Sequence, residues 1–376
     1  MHVAINAWFW NQTYTGSGQY LRRLTAALRA LQPDLKLTLI LPEAPQADVP
    51  EGVSVLQTGT ARGNLGKVWF EQRTFPQAVK RSGADLAFVP YWGPPLSSPV
   101  PLVTNVLDVI PLVLPEYAAT LKTNLYNALV RTAAAGSSAL LTLSEQSKAD
   151  IIEKLGIPAE KITVTPLAAD DRFNPRMGAE RDAEVRAKYD LPDKFVLYLG
   201  SFDRRKQVNE LLLAYTYLVQ AEGAEVPLIL AGKPPAQWGT PVHPDLPGYA
   251  SELKLDDAVR WLGAFDEADK PALYRLATTF VFPSRYEGFG LPILEAMACG
   301  TPTIAWDAPV IREVAGDGAF LVTSAREMAG AILATLGQEP LRATLRNQGL
   351  AQATRFSWRK TAQTTLSVFE GVLAGR

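Results

Sequence analysis

Short apolar, β-rich runs alternate along this chain with segments of helical period. The first half gives strand candidates at His2–Ala7, Lys36–Leu41, Asp85–Val89, Leu102–Leu107, Ala139–Leu143 and Ile162–Thr165. Helical spacing fits between them at about 19–31, 67–82, 117–135 and 145–155. The second half repeats the style with Phe195–Leu199, Leu228–Ala231, Val259–Leu262, Thr279–Phe282, Thr303–Ala305 and Phe320–Val322. Helices fit there near 206–222, 266–277, 291–299 and 325–337. Continuous apolar runs in strands, separated by helices, are the signature of parallel sheets in an α/β chain. Ala168–Pro192 is polar and charged and reads as a linker. The tail, Trp358–Leu373, reads as one more amphipathic helix.

At 376 residues the chain exceeds one typical core and predicts two domains. The expected division is 1–170, rejoined by a C-terminal helix over 358–376, and 171–357. Two doubly wound sheets would place ligands at the carboxyl ends of their strands. Hydrophobic residues make up 47% and charged residues 20%, with a net charge of −1. That balance offers nucleic acid no attractive field. The opening MHVAINAWFW has no basic stretch before its apolar run and reads as a strand, not a signal peptide. No apolar run reaches spanning length. The expectation is a cytoplasmic protein. One cysteine, Cys299, excludes an intrachain disulfide and reads as a small buried hydrophobe. His2 and His243 with one cysteine do not make a usual zinc site, and no Asp-x-Asp triplet occurs. No metal and no cofactor are expected.

The richest chemistry lies in Arg285-Tyr286-Glu287-Gly288-Phe289-Gly290-Leu291-Pro292-Ile293-Leu294-Glu295. Pro292 suits a first helical turn, because its missing N–H would have no intrahelical partner there. Backbone amides around Gly288, Phe289, Gly290 and Leu291 would then face outward from a helix N-terminus, a site for phosphate. Glu287 falls just before that helix and Glu295 inside it. Carboxylates accept from sugar hydroxyls, so one short segment suits both parts of a sugar nucleotide. The segment and its surroundings, Phe282-Pro283-Ser284 before it and Ala298-Cys299-Gly300-Thr301-Pro302 after it, resemble the Glu-x7-Glu motif of retaining glycosyltransferases with the GT-B fold. The resemblance is to the family 4-like branch, which includes bacterial polysaccharide mannosyltransferases. It covers nearly the whole chain, most securely the second half. It implies two Rossmann-like doubly wound domains facing a central cleft, with the tail helix crossing back to the first domain.

By the same resemblance Glu287 faces the donor sugar, Glu295 the ribose hydroxyls, and Glu313 the base and ribose. Leu199-Gly200-Ser201-Phe202-Asp203-Arg204-Arg205-Lys206-Gln207 resembles the family's Gly-x-x-x-x-Arg-Lys-Asn segment. Arg205 and Lys206 then hold the diphosphate, near Gly200, with Gln207 in place of the usual Asn. Without a metal, such cations must stabilise the departing diphosphate. Gly16 and Gly18, after the first strand, match a Gly-rich loop near donor phosphate and acceptor. Asp108 is retained in a segment that commonly reads His-Asp-Leu-Ile-Pro, but Leu107 replaces the His.

Trp8, Phe9, Trp10, Tyr91 and Trp92 follow first-domain strands and serve either acceptor stacking or core packing. Ser144 and Ser147 read as helix caps. The expected function is a retaining, metal-independent hexosyltransferase. It would move a sugar from a nucleotide diphosphate donor to a saccharide or lipid-linked acceptor, with peripheral contact at the inner membrane surface. The wording Pro111-Leu112-Val113-Leu114-Pro115-Glu116 leans to mannose and to GDP-mannose. Two other readings share the fold: a nucleotide-sugar epimerase, and a non-catalytic sugar-nucleotide-binding partner subunit, which Leu107 permits.

Overall fold

The computed structural model describes every residue except 14, 60–62, 119–120, 177, 223–224 and 376. Parts of the expected helix 117–135, the linker 168–192 and the end of the tail fall on those residues. The chain divides into two compact units, Met1–Leu167 with Ser357–Arg376, and Ala168–Phe356.

Among the described residues the first unit builds a seven-stranded parallel sheet. Its strands are β1 (His2–Asn6), β2 (Lys36–Leu41), β3 (Ser54–Gln57), β4 (Leu86–Val89), β5 (Leu102–Asn105), β6 (Ala139–Thr142) and β7 (Ile162–Val164). Their order is β3-β2-β1-β4-β5-β6-β7, so the direction of winding reverses between β1 and β4. β4 and β5 are buried at every position, and β4 accordingly reads as an unbroken apolar run. β3 is an edge strand, mostly exposed, and its pattern gave no signal. The tail helix Trp358–Ala374 packs within this unit: Phe369 meets Phe88 at 5.2 Å, and Thr361 Oγ1 donates to the Pro166 carbonyl at 2.5 Å.

The helix expected over 67–82 is three pieces. Gly63–Trp69 leads into a π-helical turn, Phe70–Thr74, and then Phe75–Ser82. Pro76 has no N–H to return to the preceding turn, and the Phe75 N–H reaches the Phe70 carbonyl instead.

The second unit builds a six-stranded parallel sheet: β8 (Val196–Leu199), β9 (Leu228–Ala231), β10 (Val259–Gly263), β11 (Thr279–Phe282), β12 (Thr303–Trp306) and β13 (Phe320–Val322). Their order is β10-β9-β8-β11-β12-β13, with the reversal between β8 and β11. Loops leaving β8 and β11 therefore diverge from one crevice, where ligands settle in such sheets.

The segment expected as a linker is instead tied down. It contains the helix Ala179–Lys188, which buries only Val185 of its own residues. Ion pairs hold it in place. Asp269, fully buried, accepts from Arg181, from Lys188 Nζ at 2.7 Å and from the Tyr189 hydroxyl at 2.9 Å. Arg275 pairs with Asp182 at 2.5 Å. Helices at Leu246–Glu252, Pro309–Ala315 and Glu339–Ala353 were also not anticipated. No helix among the described residues is long and apolar enough to cross a membrane.

Candidate active site

β8 is buried throughout and ends at Leu199, and Gly200 leads the backbone out of the sheet. A Cβ on Gly232, at the end of β9, would come within 1.9 Å of the Gly200 carbonyl, so the two loops need glycine to lie this close. Arg204–Lys206 then form a single 3-10 turn, and Gln207 turns left-handed at φ 51°. The helix expected from 206 thus begins at Val208, and both cations stand ahead of it. Asn tolerates that backbone region better than Gln, which gives the family's Asn a physical reason.

β11, also fully buried, delivers Ser284 to Glu287 into the same crevice. The Arg285 N–H donates to the Arg205 carbonyl at 3.2 Å, and Arg205 Nη1 donates to the Tyr286 carbonyl at 3.3 Å. These bonds lock the two loops together. Both oxygens of Glu287 are then occupied, Oε2 by Arg205 Nη1 at 2.5 Å and Oε1 by Lys206 Nζ at 2.5 Å. Asp203 holds Arg205 Nε at 3.1 Å and accepts from the Ser201 hydroxyl at 2.6 Å. Lys206 also lies 5.2 Å from the centre of the Phe282 ring.

Burial pushes the Glu287 carboxyl up, but the Lys206 and Arg205 charges outweigh it and hold it at about 2. Burial drives the Lys206 ammonium below the usual lysine range, and the Glu287 charge only partly restores it. The linkage has a definite sign. Glu287 contributes stability above its ordinary value of 4.5, and that contribution is lost as pH falls toward about 2. A depression of this size corresponds to about 3 kcal/mol. Glu287→Gln should therefore flatten the fall in stability between pH 4.5 and 2, measured as the urea midpoint against pH for both proteins. Equal slopes would show that the ion pairs contribute nothing.

The helix Leu291–Ala298 starts after Gly290, left-handed at φ 93°, with no side chain capping it. Pro292 lies in its first turn, and Phe289 is buried. Glu295 points inward and is 2% exposed. Lys270 Nζ meets its Oε2 at 2.7 Å, and the Tyr274 hydroxyl donates to the same oxygen at 3.1 Å. Glu313 sits half-buried on the helix Pro309–Ala315. Cys299 closes the motif helix, buried, and burial pushes its thiol up to about 12.

Sequence reasoning missed Asp203, Lys270 and Tyr274. Asp203 carried a usable signal, an acid two positions before Arg205. Lys270 and Tyr274 carried none, since they lie on a different helix, with a strand between it and the helix of Glu295. Among the described residues no group of three or more His, Cys, Asp and Glu could hold a metal ion.

In the first unit the flagged residues have structural duties. A Cβ on Gly18 would strike the Gln12 carbonyl at 2.1 Å, whereas one on Gly16 meets nothing within 4 Å. The Gly18 N–H also donates to the Thr15 cap. Asp108 Oδ1 accepts from the Ile110 N–H at 3.1 Å and opens the short helix Ile110–Val113. Leu107 packs with Trp8 and Phe9 against the core beneath β1 and β4. Trp10 is fully buried, with its indole donating to the Ala47 carbonyl. Ser144 caps its helix by accepting from the Ser147 N–H at 3.0 Å.

Two parallel-sheet α/β units, with paired cations and carboxylates at the crevice of the second, have the GT-B architecture. Residues 181–352 match the family described as glycosyl transferases group 1, and residues 15–168 match the glycosyl transferase 4-like domain. The chain is 33% identical over 271 residues to O-antigen chain mannosyltransferase B of Escherichia coli, covering 71% of this chain and 70% of that one. It belongs to the group 1 glycosyltransferase family. Among solved structures, sucrose-phosphate synthase of Thermosynechococcus elongatus superposes at a TM-score of 0.78, with 20% identity and full coverage of both chains. The Anabaena protein HepE, solved in complex with UDP and glucose, superposes at 0.73 with 20% identity, over 98% of this chain and 99% of that one.

Proposed function

We propose that this glycosyltransferase moves a mannosyl group, with retention and without a metal, from a nucleotide diphosphate sugar to a saccharide or lipid-linked acceptor. The observation that carries this reading is the gathering of Arg205, Lys206 and Glu287 within 2.5 Å at the carboxyl ends of β8 and β11. When a sugar–phosphate bond breaks, negative charge grows on the diphosphate, and two preorganised cations stabilise it there. Positive charge grows on the ring, and a carboxylate held ionised stabilises that. Glu295 and Glu313 serve the nucleoside side. The acceptor falls to the first unit, with Asp108 and the Gly16–Gly18 turn. Mannose, with GDP-mannose as donor, is supported by the name of the Escherichia coli relative. Work at the cytoplasmic membrane surface follows from a lipid-linked acceptor.

The test is transfer from GDP-mannose and UDP-glucose, in excess chelator, to oligosaccharide and lipid-extract acceptors, with product linkage read by NMR. An α product from an α donor supports the proposal. An inverted product, or loss of transfer that manganese restores, overturns its mechanism. Tight donor binding with no transfer favours the partner-subunit reading, and an isomerised nucleotide sugar favours the epimerase.

A further inference from the structure

Glu287 fills the cationic site with an anion of its own. Its two oxygens bridge Arg205 and Lys206 as two oxygens of a phosphate would. Asp203 takes the remaining edge of Arg205. Two cations therefore face two carboxylates, and these four groups together offer no net positive charge to a visiting anion. The Glu287 side chain keeps 11% of its surface exposed, so it is not sealed inside the core. The backbone bonds between the loops, Arg285 N–H to Arg205 and Arg205 to Tyr286, do not involve the carboxylate. It can swing away without parting them.

We infer that Glu287 is the built-in counter-anion of the phosphate site and sets its specificity, yielding to a diphosphate and excluding single phosphates. The inference rests on the proposed role of Arg205 and Lys206 as diphosphate ligands. An incoming anion must replace two short, charge-assisted bonds before it gains anything. A lone phosphate brings one group and little more than it displaces. A diphosphate brings a second group and further charge, so the exchange favours it. The displaced carboxylate, held just before Gly288, is then released toward the sugar. One residue thus guards the site against common small anions and becomes available only when the donor is seated. The low acid value of Glu287 agrees with this role, since it keeps the guard ionised at any ordinary pH.

The test is calorimetric titration of inorganic pyrophosphate and inorganic phosphate into the unaltered chain and into Glu287→Gln, at fixed ionic strength. The unaltered chain should bind pyrophosphate and largely ignore phosphate. Glu287→Gln should bind both more tightly, with phosphate gaining about tenfold or more, so that discrimination narrows. Equal or weaker pyrophosphate binding by the variant overturns the inference and leaves the proposed function standing. Absence of pyrophosphate binding by either protein removes the diphosphate site and the inference together. A crystal structure of the unaltered chain with pyrophosphate gives an answer that needs no variant. Separation of Glu287 from Lys206 supports displacement, and an intact pair beside bound pyrophosphate overturns it.

Discussion

Lys206→Ala should slow sugar transfer by roughly 10²- to 10³-fold, the scale on which one preorganised charge partner in a dry site acts. Lys206 is 7% exposed, sits over Phe282 and reaches the crevice from a rigid 3-10 turn. Its charge acts there with little screening, unlike a surface lysine. Arg205 remains in the variant but is already shared between Asp203 and Glu287. Nucleoside diphosphate affinity should fall as well, because the leaving group is held by the same charge before and after bond breaking. Single-turnover kinetics with titrated GDP would separate the two effects. Unchanged rate and affinity would remove Lys206 from the site and, with it, the main support for metal-independent transfer.

Lys270→Met should destabilise the second unit by about 3–5 kcal/mol, the usual cost of stranding one partner of a buried ion pair. Glu295 would keep its Tyr274 hydrogen bond but lose its cation partner, in a place where it is 2% exposed. A unit of this size should then melt roughly 10 °C lower. The double variant Lys270→Met with Glu295→Gln should recover most of the loss, because it removes the stranded charge rather than adding a second defect. Calorimetric melting of the single and double variants checks this. Equal, additive losses would show that the pair is not coupled.

Most strands were legible because they are buried along nearly their whole length and so read as apolar runs. Lys36–Leu41, Leu228–Ala231, Thr279–Phe282 and Phe320–Val322 have the bounds that their apolar runs suggested. Ser54–Gln57 was not legible, since an exposed edge strand needs no apolar run. The charged segment 168–192 misled for a related reason. A helix with one buried residue has almost no periodic signal, and the bonds that hold it come from Asp269, Arg275 and Arg260, far along the chain. In the site, Arg205, Lys206 and Glu287 were legible as residue types in family-like segments. Their mutual engagement was not, because a sequence names the charges without saying which of them neutralise each other. Gly18 and Asp108 show the opposite hazard. Each has a packing or capping duty that would preserve it with no ligand at all.

Cys299 gives the chain an internal clock. It is the chain's only thiol, it lies 4% exposed at the end of the motif helix, and burial keeps it protonated at ordinary pH. Thiol reagents attack the thiolate, so labelling waits until that helix opens to water. The rate of modification by a coloured disulfide reagent therefore times the opening of the donor-side unit, without any engineered probe. A ligand that binds only the closed form of this unit should stretch that interval by the factor 1 + L/Kd, where L is the free ligand concentration.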